Sequence, residues 1–229
     1  MNLLLLHGAL GTSAQMEPLR GLVGGTTIDL TGHGTRAIPD HGITFNDFLA
    51  DIESVFAALE WETADLFGYS MGGYAAMLYA AGHPERVRSV VTVGTKYLWT
   101  AEGLQKELRM LNPDAMATKV PAFAEALAAA HGASRWRDLV SAIAQSMRDL
   151  AASPLLTAQV CARVQCPVLL CVGDGDTTAV PEDTHTFALN VPQVRVQVLP
   201  NTKHPFDTVD HARLAAELHR FWNSIDPGR

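Results

Sequence analysis

The sequence predicts an α/β fold in which a mostly parallel sheet is covered by helices on both faces and carries a helical insertion. Short apolar runs, which indicate fully buried strands, alternate with helical patterns along most of the chain. This alternation is typical of parallel sheets, whose ligands bind at the carboxyl ends of the strands. It stops between residues 96 and 154, where only helical patterns occur. We therefore expect a core domain of residues 1–95 and 155–229 and a helical cap of residues 96–154.

Composition and charge restrict the class of function. The chain has 229 residues, enough for one large domain or a domain with an insertion, and its hydrophobic share of 48% can fill a sizeable core. Lys and Arg number 17 against 24 Asp and Glu, and the net charge of -7 argues against nucleic acid or an anionic membrane as the main partner. We expect a small-molecule substrate.

The cysteines and the first residues indicate a cytoplasmic protein. Cys161, Cys166 and Cys171 are odd in number and surround one predicted strand, so we expect buried thiols rather than disulfide partners or zinc ligands. The apolar start, residues 1–6, lacks a basic lead and is too short for a signal peptide or a membrane span.

The first strand, residues 3–6, leads into a glycine-rich loop that begins with His7 and Gly8. A histidine-glycine pair after a buried strand lets the next amide turn inward, so Ala9 is a candidate donor to an oxyanion. An ordinary strand-to-helix turn is the alternative, and we expect His7 to be structural. A second short strand follows at residues 26–30, and a capping-box pattern at Thr44 predicts a helix after it.

The strand that begins at residue 64 leads into the central motif of the chain. Gly68, Ser70 and Gly72 form a G-x-S-x-G pattern between an apolar run and a helical pattern. That layout is typical of a nucleophile elbow, a sharp turn that holds the serine strained and exposed and admits only glycine-sized residues two positions away. The amide of Met71 would then point at an oxyanion beside the serine. Because the pattern alone is weak, the chain must also supply a base, an acid and a second donor.

The expected cap contains helical patterns at residues 101–111, 121–131 and 134–152. Its large apolar side chains can line a pocket over Ser70, although such residues more often form the core of a cap. Slightly more basic than acidic residues occur here, which either favours carboxylate-bearing substrates or marks a solvated helix face. Tyr69 and the following cap residues are the pocket candidates: Trp99, Met110, Leu111, Phe123, Trp136 and Met147.

The alternation resumes after the cap and supplies an acid and a histidine. A strand at residues 167–172 is followed by Asp174 and Asp176, and a strand at residues 195–199 is followed by His204. His204 is the histidine that follows a strand directly in this part of the chain. The remaining histidines here, His185, His211 and His219, fall on predicted helices, where an exposed or core role is the default.

In the order of its serine, acid and histidine, and in their placement after strands, the sequence resembles the α/β-hydrolase superfamily over nearly its whole length. It is most similar to small capped esterases and carbon–carbon bond hydrolases. The family usually has two strands before the histidine-glycine strand, so the resemblance implies a parallel sheet of about six strands with residues 26–30 at its edge. An open edge allows a homodimer as well as a monomer. The segments that carry the resemblance are His7-Gly8, Asp29 with Gly32-His33-Gly34, residues 68–73, residues 173–176 and His204.

The resemblance also implies the catalytic roles. Asp176 is the fourth residue of the family's Gly-x-x-Asp loop and is therefore the expected acid, with Asp174 as a neighbour. Ser70 is the nucleophile, His204 the base, and Ala9 and Met71 the oxyanion donors. Two departures, Ala9 where a bulky residue is common and Lys203 where glycine is usual, affect the shape of the pocket.

The expected reaction is cleavage of a small-molecule ester or thioester through an acyl-enzyme. This arrangement requires no metal ion and no organic cofactor. Carbon–carbon bond hydrolysis, or a related lyase reaction on the same elbow, is the alternative within enzymes. A ligand-binding protein of this fold without catalysis is a further alternative, because fold does not determine function.

Overall fold

The structure is a computed structural model that describes residues 2–226. Within that range the sheet has six strands in the order β2-β1-β3-β4-β5-β6, and every neighbouring pair is parallel. The predicted parallel sheet is therefore confirmed, with β2 at its edge. The strands are β1 (Leu3–Leu6), β2 (Thr26–Ile28), β3 (Ala64–Tyr69), β4 (Val87–Val93), β5 (Val168–Gly173) and β6 (Val194–Leu199).

Helices cover both faces of the sheet. They are α1 (Glu17–Val23), α2 (Phe45–Ala58), α3 (Met71–Gly82), α4 (Ala101–Met110), α5 (Pro113–Lys119), α6 (Pro121–His131), α7 (Arg135–Ala152), α8 (Ala158–Cys161), α9 (Pro181–Ala188) and α10 (His211–Ile225). Short 3-10 turns occur at Ser13–Met16 and Phe206–Thr208.

Strand β1 shows how the sheet is buried from both sides. Leu4 and Leu6 belong to the cluster that includes α2 and α3, whereas Leu3 and Leu5 pack with side chains of α1 and α10. All four leucines are fully buried because alternate residues of a strand face opposite sides of the sheet. A continuous apolar run is therefore the sequence that this position requires.

Strand β2 ends two residues earlier than the predicted range of 26–30. The amide of Leu30 donates to Nε2 of His7 at 3.0 Å instead of joining the strand ladder. His7 therefore ends the edge strand and fixes the loop that follows it, in agreement with its expected structural role.

Between β4 and β5 the described residues form helices joined by loops and contain no strand, and α4 to α7 are the inserted helices. The predicted helix at residues 101–111 ends as expected, with α4 spanning Ala101–Met110, but a second helix, α5, starts directly after it and was not among the expected helices. The side chain of Asn112 accepts a hydrogen bond from the amide of Ala115 at 2.9 Å, and Pro113 occupies the first helical position. Asn and Pro are favoured at those two positions of a helix start, which explains why a second helix follows the end of α4 at once.

The cysteines and the apolar segments were also considered in the sequence. Cys161, Cys166 and Cys171 are buried free thiols, as predicted. Among the described residues, no helix combines the length and the apolar character that crossing a bilayer requires.

Candidate active site

Ser70 lies in a strained turn between β3 and α3. Its backbone has φ 51° and ψ -115°, a conformation that residues other than glycine rarely adopt. A Cβ atom on Gly72 would lie 2.6 Å from the carbonyl oxygen of Leu6, and one on Gly68 would overlap the backbone of Gly72. The turn therefore tolerates only glycine on both sides of the serine.

His204 and Asp176 lie beside this serine. Nε2 of His204 is 3.3 Å from Oγ of Ser70, and Nδ1 of His204 is 2.8 Å from Oδ2 of Asp176. From these two partners we infer the tautomer of the ring. Nδ1 carries the proton and donates it to the carboxylate, and Nε2 accepts from the serine hydroxyl. The phenol of Tyr69 donates to the carbonyl of His204 at 2.9 Å and so supports the histidine loop.

The two acids of the loop after β5 have different surroundings. Asp176 is buried, and its Oδ1 accepts from the amides of Thr178 at 2.8 Å and Ala179 at 2.9 Å, which leaves Oδ2 directed at His204. Asp174 instead accepts from the amides of Asn201 and Thr202. Those hydrogen bonds lower the pKa of Asp174. They also hold the loop that carries His204.

Gly94 has no side chain that would crowd His204 and Asp176. It is not among the residues expected from the sequence. Its φ is +60°, and a Cβ atom there would lie 3.2 Å from Oδ2 of Asp176 and 3.4 Å from Nδ1 of His204. A glycine at the carboxyl end of β4, next to the strand of the elbow, is the signal that marks this position.

The expected oxyanion donors, Ala9 and Met71, both lie in the wall of the cavity beside Ser70. Met71 is the first residue of α3, and the first amides of a helix have no partner within it. Among the described residues, the amide of Ala9 makes no hydrogen bond to a loop carbonyl or a side chain. Both amides are thus available to a ligand.

Buried histidines brace the loop that carries Ala9. Nδ1 of His131 accepts from the amide of Gly34 at 2.9 Å, so Nε2 of His131 carries the proton and donates to the carbonyl of Leu10 at 3.0 Å. His7 packs edge-on against His33, and burial lowers the pKa of His7 to about 4. Burial also lowers the pKa values of His33 and His131, so all three rings are neutral near pH 7.

A cavity of about 260 Å³ opens over Ser70 between the sheet and the inserted helices. The expectation for Trp136 is not met, because its buried ring packs among side chains of α5, α6 and α7, such as Met116 and Leu127. The other expected pocket residues line the cavity: Tyr69, Trp99, Met110, Leu111, Phe123 and Met147.

The cavity wall also contains an ion pair that the sequence analysis missed. Nζ of Lys96 lies 3.3 Å from Oε1 of Glu107, and both side chains are nearly buried. Lys96 follows the carboxyl end of β4, so its position after a central strand was the available signal. Glu107 is on α4, and nothing in the local pattern distinguishes it from Glu102, the other acidic residue of that helix.

A profile of the alpha/beta hydrolase family matches residues 3–217 of this chain. The chain belongs to the alpha/beta hydrolase family. The expected superfamily resemblance is therefore confirmed, and the elbow at Ser70 occupies the place between strand and helix that an alpha/beta hydrolase uses for its nucleophile.

Individual members of the family are similar over part of the chain. The 2-(acetamidomethylene)succinate hydrolase of Mesorhizobium japonicum is 37% identical over 103 residues, which are 43% of this chain and 37% of that protein. Carboxylesterase YbfK of Bacillus subtilis is 33% identical over 97 residues, 40% of this chain and 33% of that protein. This chain thus matches about a third of the length of these relatives.

Solved structures of the same fold match almost the whole chain. A thermophilic esterase from Thermogutta terrifontis superposes with a TM-score of 0.77 at 20% identity, covering 98% of this chain and 90% of that chain. At that identity the likeness establishes the alpha/beta hydrolase fold.

Proposed function

We propose that the protein is a serine hydrolase that cleaves a small-molecule ester or thioester through an acyl-enzyme on Ser70. The observation that carries the proposal is the hydrogen-bonded series from Ser70 through His204 to Asp176, with distances of 3.3 Å and 2.8 Å. A serine hydroxyl is a weak nucleophile until a neighbouring base accepts its proton. Membership of a hydrolase family, and relatives named as hydrolase and carboxylesterase, support the same chemistry.

In the first half of the proposed reaction, Oγ of Ser70 attacks the carbonyl carbon while Nε2 of His204 accepts the hydroxyl proton. Asp176 holds the imidazole by its Nδ1 proton and stabilises the imidazolium. The negative oxygen that forms on the substrate accepts hydrogen bonds from the amides of Ala9 and Met71. Collapse of this intermediate breaks the bond to the alcohol or thiol, which takes the proton from His204 and leaves an acyl-serine.

Water completes the cycle. His204 accepts a proton from the water as it attacks the acyl-serine, and the same oxyanion donors stabilise the second tetrahedral intermediate. The bond between the acyl carbon and Oγ then breaks, and Ser70 regains its proton from His204. The products are a carboxylic acid and an alcohol or a thiol.

Covalent labelling tests the proposed nucleophile. A fluorophosphonate probe should label the wild-type protein and leave Ser70→Ala unlabelled, because the probe needs an activated serine. Ser141→Ala is a suitable control, since Ser141 is an exposed residue of α7. Absence of labelling in the wild type would favour a ligand-binding protein of the same fold.

Substrate panels test the bond that is cleaved. We expect turnover of short esters and thioesters that depends on Ser70, with the alcohol or thiol released before the acid in rapid-mixing experiments. Carbon–carbon cleavage differs because the leaving group must be protonated on carbon. Turnover of diketones with no turnover of esters would replace the proposed reaction by that one.

A further inference from the structure

The cavity over Ser70 is mostly apolar, yet its wall holds a buried ion pair. Lys96 and Glu107 line it, and their side chains have relative exposures of 12% and 8%. The free energy that is lost when two opposite charges leave water is about as large as the free energy gained from their attraction. A buried ion pair therefore contributes little net stability. Polar groups placed in an apolar pocket more often orient a ligand.

The contacts of the pair leave bonding capacity for a ligand. Nζ of Lys96 reaches Oε1 of Glu107 at 3.3 Å and the carbonyl of Thr178 at 3.4 Å. Charge-assisted hydrogen bonds are usually about 2.7–2.9 Å long, so both contacts are loose. An ammonium group has three donors and a carboxylate accepts several bonds, so a donor of Lys96 and acceptor sites of Glu107 remain for the cavity.

Gly103 of α4 keeps the space in which the ammonium group lies. A Cβ atom on Gly103 would be 3.1 Å from Nζ of Lys96, closer than side-chain contacts normally are. Glycine inside a helix costs about 1 kcal/mol relative to alanine. An alanine there would push the ammonium group, and equally the hydroxyl of Thr100 that caps α4, by a few tenths of an ångström.

We propose that Lys96 and Glu107 form a substrate subsite that binds a neutral polar group with both an acceptor and a donor, of which a carboxamide is the model. The carbonyl of the amide accepts from Lys96 and its N–H donates to Glu107. A carboxylate gains the attraction of Lys96 but meets the charge of Glu107, and an ammonium group meets the reverse. This subsite rests on the proposed ester hydrolysis, since it selects among the substrates of Ser70.

Four matched esters test the selection. They differ only in a terminal methyl, carboxamide, carboxylate or ammonium group, carried in the acyl part in one series and in the alcohol part in another. In one of the two series, kcat/KM for the carboxamide should exceed that for either charged ester by about tenfold or more, as expected for hydrogen bonds to charged groups. A wild-type preference for the carboxylate or the ammonium ester would overturn the proposal.

Variants then test whether the pair is the cause. Glu107→Gln leaves a net positive subsite, so the carboxylate ester should gain about tenfold relative to the carboxamide. Replacing both residues by methionine should abolish discrimination and make the methyl ester the best substrate. Arg109→Gln removes an exposed charge of the same helix and should leave the order unchanged. An unchanged order in Glu107→Gln would assign the pair a purely structural role.

Binding separates this proposal from the proposed reaction. Calorimetry with Ser70→Ala and a non-cleavable amide analogue of the carboxamide substrate should give affinity that is lost when both Lys96 and Glu107 are methionine. If no ester is hydrolysed but this affinity is found, the subsite stands and the ester reaction fails. If esters are hydrolysed and the four terminal groups are not distinguished, the subsite fails alone.

Discussion

Nε2 of His131 lies 3.0 Å from the carbonyl oxygen of Leu10, which joins the end of α6 to the residue after Ala9. The other ring nitrogen accepts from Gly34, so one imidazole ties two loops of the core to an inserted helix. Leu10 has a φ of 60°, a conformation that needs support in a residue with a side chain. The position of the Ala9 amide therefore depends on a histidine more than a hundred residues away in sequence.

We predict that His131→Ala lowers both stability and turnover. The change leaves the buried amide of Gly34 and the partly buried carbonyl of Leu10 without partners, which costs about 1–3 kcal/mol for the buried group. Turnover on an ester should fall about tenfold or more, because displacing the amide of Ala9, the proposed oxyanion donor, would weaken stabilisation of the transition state. The measurements are kcat on one ester and thermal unfolding.

His185→Gln is the matched control for that substitution. His185 is exposed on α9, and its replacement should change neither quantity appreciably. A His131→Ala protein that unfolds more easily but keeps full turnover would show that this histidine supports only the fold.

We predict that Gly94→Ala lowers turnover strongly with a smaller effect on stability. The new methyl group would press on Oδ2 of Asp176 and Nδ1 of His204, the two atoms whose hydrogen bond orients the proposed base. Alanine at φ +60° also adds strain of about 1–2 kcal/mol. The measurements are kcat and urea unfolding, with Gly82→Ala as the control because a Cβ atom there meets no neighbour within 4 Å. Equal turnover in both variants would contradict crowding of Asp176 and His204 by the new methyl group.

The sequence was sufficient to predict the sheet because its signals are local. Runs such as Leu3–Leu6 are apolar on both faces, and parallel strands place their carboxyl ends at one edge. Ser70 and His204 each follow a strand, so this geometry predicts that they lie at the same edge of the sheet. The remaining parts of the site depend on contacts between distant segments. The bond from His131 to Gly34 and the pairing of Lys96 with Glu107 have no local pattern that would reveal them.

The error at Trp136 has a similar cause. Trp136 and Met147 are about three turns apart on α7, so they lie on nearly the same face of that helix. Met147 faces the cavity, whereas Trp136 is covered by α5 and α6. Position along the helix decides which side chain reaches the cavity, and that depends on how α5 packs. The sequence pattern does not predict α5, so Trp136 and Met147 cannot be distinguished from the sequence.

We predict that stability falls as pH decreases from about 6.5 to about 4. Burial lowers the pKa of His7 from 6.5 to about 4, so in this window the unfolded chain binds a proton that the folded protein excludes. Stability is then fully present above pH 6.5 and is lost on acidification, by about 3 kcal/mol for this group. The measurement is the free energy of unfolding in urea across this pH range.

His7→Asn provides the comparison for the pH dependence. It should be less stable near pH 7, because Leu30 loses its acceptor, but its stability should change less steeply between pH 6.5 and 4. His33 and His131 also have lowered pKa values and will contribute the remaining slope. Parallel curves for the two proteins would mean that His7 does not titrate in this window.

We predict that the two acids of the loop after β5 differ strongly in their effect on turnover. Asp176→Asn should keep the fold, since Thr178 and Ala179 can still donate to its side-chain oxygen, yet lower kcat by about 10⁴ because an amide presents the wrong partner to the imidazole. Asp174→Asn should cost far less, because Asp174 braces the histidine loop through backbone amides and does not touch the ring. Turnover of both variants on one ester is the measurement. Equal small losses, or a larger loss at Asp174, would overturn the role of Asp176 and leave the pairing of Ser70 with His204 standing.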